Sequence, residues 1–179
     1  MKRLKVTGKE LALLCGMAAV GTRTFPRGAA ARTVDSVTAT AGSTAEIVYS
    51  GETLTVTNCV YTIGNKATGI RAVDDTEVAI GKDIYVHGAN SQYNNSYGVY
   101  GDSGVQVRVG TDIVVESDAG AERVRGIYID GGYGSSISST PDIQVGGNIS
   151  ASGINTIGIY VSGKNANIKV DGNVTASNR

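Results

Sequence analysis

Five short segments of this chain can be laid over one another. "LTVTNCVYT" (Leu54–Thr62), "VAIGKDIYV" (Val78–Val86), "VRVGTDIVV" (Val107–Val115), "IQVGGNISA" (Ile143–Ala151) and "IKVDGNVTA" (Ile168–Ala176) share one pattern. In the last four, an apolar-x-apolar run meets Gly or Asp, one further residue, Asp or Asn, and a second apolar-x-apolar run; in the first, Thr57 holds the Gly/Asp place and Cys59 the Asp/Asn place. Successive starts lie 24, 29, 36 and 25 residues apart, within the range of solenoid repeats. A second column precedes the last four copies: "GIRA" (Gly69–Ala72), "GVYG" (Gly98–Gly101), "GIYI" (Gly126–Ile129) and "GIYV" (Gly158–Val161). Each unit therefore offers three short strands.

Taken alone, Asp171-Gly172 between alternating runs reads as a two-residue hairpin. The matching columns favour a corner instead, because an antiparallel meander needs no such register while stacked rungs do. Strand alternation then places Ile70, Val99, Ile127 and Ile159 in one interior row. Val78, Val107, Ile143 and Ile168 form a second, and Ile84, Ile113, Ile149 and Val174 a third. Arg108, Gln144 and Lys169 face outward. Length variation falls between strands, at His87–Ser96, Glu116–Arg125 and Asp130–Asp142, where a solenoid tolerates loops. The expected fold is an all-β parallel solenoid of about five rungs over 45–179, with 32–44 as linker or N-terminal cap.

Composition agrees: 25 Gly, one Phe and no Trp leave Val, Ile, Thr and Ser to build β-structure with many turns. Lys2, Arg3, Lys5 and Lys9, then the apolar run Leu11–Val20 and the small residues Ala29–Ala31, have the layout of a secretory signal peptide over 1–31. The apolar run is too short to span a bilayer. Beyond residue 31 the chain holds 10 basic against 15 acidic groups, a balance that argues against a nucleic-acid partner. Removal of the leader leaves Cys59 as the one cysteine, so no intramolecular disulfide is expected of a processed chain.

The stretch "GNISASGINTIGIYVSGKNANIKVDGNVTAS" (Gly147–Ser177) resembles the repeats of Gram-negative autotransporter passenger domains of the pertactin-like class. The resemblance implies a right-handed β-helix, export, and a place at the outer membrane or cell surface or outside the cell. It also implies a C-terminal translocator barrel, which this sequence does not include; an N-terminal fragment is the expectation. The implied function is a non-catalytic stalk or adhesin, with host-surface or matrix glycans or proteins as possible partners and no obligate oligomer.

Other chemistry is sparse. Asp74, Asp75, Asp102 and Asp130 follow the Gly-Ile strands and could form an acidic column beside Arg71, the one feature pointing to the alternative of a polysaccharide-degrading β-helix enzyme. A stalk fragment of a secreted toxin is a further alternative. Turn preference explains the carboxylates without catalysis, so no catalytic residue is assigned. "GGYGSSISS" (Gly131–Ser139) has Ser136 where a Ca²⁺-binding nonapeptide needs Asp, so no metal or cofactor is expected. Tyr100, Tyr128 and Tyr160 share one outward position in successive units and are the candidate binding residues. A flat aromatic ladder could serve a ligand, or could simply stiffen the outer face, which is the favoured reading. The corner residues Asp83, Asp112, Asn148 and Asn173 read as structural, with the carboxylates expected to stay solvated.

Overall fold

The computed structural model describes residues 30–89, 95–118, 123–131, 140–162 and 165–178. Residues 1–29 of the leader expected over 1–31, the central parts of the three insertions, and residues 163–164 and 179 lie outside the described residues. Along the chain run β1 (Ala31–Val34), β2 (Val37–Ala39), β3 (Thr44–Val48), β4 (Thr53–Val56), β5 (Val60–Ile63) and β6 (Thr68–Ala72). Next come β7 (Glu77–Ile80), β8 (Ile84–Gly88), β9 (Ser96–Gly101), β10 (Gln106–Val109), β11 (Ile113–Ser117) and β12 (Val124–Asp130). The last are β13 (Asp142–Val145), β14 (Ile149–Ser152), β15 (Thr156–Ser162), β16 (Asn167–Val170) and β17 (Val174–Ser177).

Every third strand stacks on the one before. The first sheet is β1-β4-β7-β10-β13-β16, the second β2-β5-β8-β11-β14-β17, and the third β3-β6-β9-β12-β15. All described pairings are parallel. The chain is thus a parallel β-solenoid of about four turns, the number that separates β3 from β15.

The register reproduces the interior rows read from sequence. Ile70, Val99, Ile127 and Ile159 are successive partners, as are Val78, Val107, Ile143 and Ile168, and Ile84, Ile113, Ile149 and Val174. Ile70, Ile84, Ile113, Ile127 and Ile143 are fully buried in one continuous core. Burying such a side chain stabilises by about 1.5–3 kcal/mol, but each coil does so only with neighbours on both sides. Strands also begin earlier than the repeats: β1, β2 and the start of β3 occupy the stretch read as linker or cap.

The corner between the first and second sheets explains the Gly/Asp-x-Asp/Asn signature. Gly81, Gly110, Gly146 and Gly172 do not have positive φ, so none makes the hairpin turn that Asp171-Gly172 suggests locally. A Cβ on Gly110 would instead stand 2.2 Å from the carbonyl oxygen of Gly81 in the coil before. Glycine is there because backbones stack closely. The polar residue that follows ties one coil to the next: Asp83 Oδ1 accepts from Asp112 N–H at 3.0 Å and from the Thr111 hydroxyl. Asp112 Oδ1 accepts from Asn148 N–H at 2.6 Å, and Asn148 Oδ1 from Asn173 N–H at 3.0 Å. The aspartates expected to remain solvated are hydrogen-bonded to backbone, because each carboxylate sits one strand spacing below an amide with no other partner in its own coil.

Cys59 occupies the same corner position in an earlier coil. It is buried beside Tyr61 and Tyr85, and in the full-length chain it is disulfide-bonded. The lone Cys59 expected above applies to a chain cut after Ala31.

Candidate functional site

The outer face of the third sheet gathers most of the side chains with chemistry. Arg71, Tyr100, Tyr128 and Tyr160 are successive partners on β6, β9, β12 and β15. One column over, Tyr97 of β9 pairs with Arg125 of β12. Strict alternation from Tyr100 would turn Tyr97 inward. It faces out because Gly98 and Val99 both point into the core, as do Gly126 and Ile127 in the next coil. Glycine with its neighbour makes a two-residue inward step, and outward positions are then three apart.

The rings are used on one another. Tyr128 and Tyr160 are stacked with centroids 5.2 Å apart and planes within 5°. Tyr100 lies 5.1 Å from Tyr128 at 41°, and Tyr97 meets Tyr100 edge-on at 5.1 Å. Arg71 covers Tyr100 with its guanidinium 4.0 Å from the ring centroid, and Arg125 lies 5.0 Å from Tyr128 and 5.2 Å from Tyr160. Aromatic and cation–π contacts of this kind contribute about 0.5–1.5 kcal/mol each. A sugar that stacks on an aromatic needs an open ring face. Here Tyr100 and Tyr128 have their faces against neighbours and Tyr160 alone is exposed, at 39%. Burial, with Asp130 nearby, pushes the phenols of Tyr100 and Tyr128 above their ordinary value, Arg71 and Arg125 respectively opposing.

The acidic side chains are likewise engaged. Arg71 Nη2 donates to Asp102 Oδ2 at 2.8 Å, and Ser162 Oγ donates to Asp130 Oδ1 at 2.9 Å. Asp74 is close enough to Asp102 and Asp75 to feel both: burial first, then those two charges, raise its carboxyl above 3.8, against the Ser103 amide and Arg71. So Arg71 does lie beside the acidic residues, and it neutralises one of them. Among the described residues no group of three or more His, Cys, Asp or Glu could hold a metal ion.

Two other surfaces carry polar side chains. On the second sheet, His87 Nε2 is 3.3 Å from Asp118 Oδ1, and the Tyr85 hydroxyl donates to Glu116 Oε2 at 3.1 Å. On the first, a shallow groove of about 390 Å³ runs along the glycine corner, with Arg108, Gln144 and Lys169 on its wall. The tyrosine column was legible in the sequence. Tyr97 and Arg125 were not, since the double inward step at the glycine has no signature in simple alternation. Compared with known proteins, the chain matches no family model, no curated protein and no solved structure.

Proposed function

We propose that this chain is an exported β-helix passenger, displayed at or released from the cell surface, and that its solenoid acts as a non-catalytic stalk or adhesin. The observation that most supports this reading is the use of outward polar and aromatic groups from coil to coil. The Asp83–Asp112–Asn148–Asn173 ladder, the Arg71–Asp102 pair and the tyrosine column all join one rung to the next. Such contacts stiffen a rod. They leave few groups to converge on a reacting atom, and loops to supply any specificity. Right-handed winding is part of the proposal, because parallel strands of one sheet are joined by right-handed crossovers in about 98% of cases.

The test is expression of the full chain, fused to a surface-display barrel, in a Gram-negative host. The proposal expects cleavage near Ala31, access to external protease, and either binding to matrix glycans or host cells or display alone. Retention inside the cell at full mass would overturn it. Release of fragments from an acidic polysaccharide, lost in Asp102→Asn with Asp130→Asn, would replace it with the enzyme reading.

A further inference from the structure

Close stacking at the glycine corner leaves a groove behind it. Gly81, Gly110 and Gly146 hold the same place in successive coils, and each amide donates to the coil before. A Cβ on them would stand 2.3, 2.2 and 2.4 Å from the carbonyl oxygens of Thr57, Gly81 and Gly110. The floor therefore cannot carry side chains, and it is open to water. One wall is an outward row of the first sheet, where Thr55, Ala79, Arg108, Gln144 and Lys169 are successive partners. This row stands on the outer face of the sheet, which further coils at either end would lengthen without covering.

Arg108 and Lys169 are two coils apart, about 9–10 Å, with the neutral Gln144 between them. Arg108 Nη1 is 4.0 Å from Glu77 Oε1, Lys169 Nζ is 2.8 Å from Asp171 Oδ1, and Gln144 Nε2 donates to Asp142 Oδ2 at 2.9 Å. Both ion pairs are exposed, where such a pair contributes little, so either cation can turn to an anion in the groove. The coil repeat of about 4.8 Å is close to the advance of one sugar ring along a linear glycan. An extended peptide advances about 3.3 Å per residue and returns a side chain to the same face every second residue, out of step with the coils. We propose that this groove binds a linear acidic glycan along the solenoid axis, one sugar per coil, with carboxylates on alternate sugars held by Arg108 and Lys169. The ligand class deepens the adhesin reading above, on which its meeting the glycan outside the cell rests.

The experiment measures binding of the purified full chain to a hyaluronan octasaccharide, which carries a carboxylate on every second sugar. A chitin octasaccharide, which has none, and a polyglutamate peptide are the comparators. The hyaluronan fragment should bind saturably, weaken as salt rises, and exceed the chitin fragment by about tenfold. R108Q/K169Q should lose about the same factor, and so should Q144E, which sets a like charge between the two cations. R123Q, an exposed cation away from the groove, should bind as the parent does. All the substituted side chains are exposed or outward, and circular dichroism checks that each variant keeps the fold. Absence of binding, equal binding of the chitin fragment, tighter binding of polyglutamate, or an R108Q/K169Q that binds like the parent would overturn the proposal. A chain that is exported and displayed yet does not bind overturns the groove alone. One that binds but stays inside the cell overturns the export reading and leaves the groove standing.

Discussion

Gly126→Ala adds one methyl group to the inward side of the third sheet, and the structure says where that methyl would go. A Cβ built on Gly126 stands 2.4 Å from Ile113 Cγ2, 2.6 Å from the carbonyl oxygen of Gly158 and 3.2 Å from Val115 Cγ2. Ordinary contact begins at 3.4 Å, so the first two distances are short by about 1.0 and 0.8 Å. The two obstacles lie on different elements, β11 and β15. The carbonyl cannot retreat without loosening the ladder between β12 and β15, and Ile113 is fully buried between Ile84 and Ile149. Overpacking of this kind costs about 1–3 kcal/mol, and a double obstruction belongs at the upper end. Alanine's smaller loss of backbone entropy returns about 0.4–1 kcal/mol. The expected net loss is about 2 kcal/mol, or a urea midpoint lower by about 1 M at a slope near 2 kcal/mol/M.

The chain has no Trp, so emission comes from its nine tyrosines, Tyr97, Tyr100, Tyr128 and Tyr160 on the outer face of the third sheet among them, while circular dichroism follows the whole solenoid. Ile113→Ala removes one of the two obstacles. The double variant should therefore lose less stability than the two single losses added together, by about 1 kcal/mol. An unchanged midpoint and slope for Gly126→Ala would refute the packing argument, because a methyl with room on that side means that β11 does not lie against the glycine column. Full additivity in the double variant would locate the strain elsewhere.

The corner ladder predicts that Asp112→Ala loses the bonds to Asn148 N–H and Nδ2, lowering stability by about 1 kcal/mol, while Asp112→Asn keeps an acceptor and stays within a few tenths of the parent in thermal melts. The raised carboxyl of Asp74 means that the native state holds this proton more tightly than the unfolded state does. Its contribution is favourable below the ordinary value of 3.8 and is lost as pH rises through the native value, so Asp74→Asn should raise the melting temperature at pH 7 and leave it unchanged at pH 3. Burial, with Asp83, raises the Tyr61 phenol, and burial with Glu116 raises that of Tyr85. Together with Tyr100 and Tyr128, these groups stay protonated in the native state when the unfolded chain begins to ionise near 10.0. Stability should then fall as pH rises beyond that point, and tyrosinate absorbance should lag in the native chain and recover in urea. A native titration that overlays the denatured one would remove the basis for this claim.

What was legible in the sequence, and what was not, has one physical origin. Rows such as Ile127 between Val99 and Ile159 are legible because stacking repeats the same burial at the same offset, and a repeated requirement leaves a repeated residue type. The two inward neighbours at Gly98-Val99 were hidden because alternation assumes one residue per pleat, and glycine without a side chain escapes that count. The first coil was hidden for the opposite reason. Its strands obey the register, with Val37 buried on Val60 and Val48 on Ala72, yet it carries Arg32 and Glu46 where the repeat demands apolar residues. There Arg32 and Glu46 satisfy one another, the guanidinium donating to the carboxylate at 2.8 Å, and two positions occupied by a charged pair carry no apolar signature for the repeat to show. The corner column also has its exception: Cys59 stands in the Asp/Asn place within the stack, buried in one cluster with Tyr61 and Tyr85, where an unpaired carboxylate would be costly.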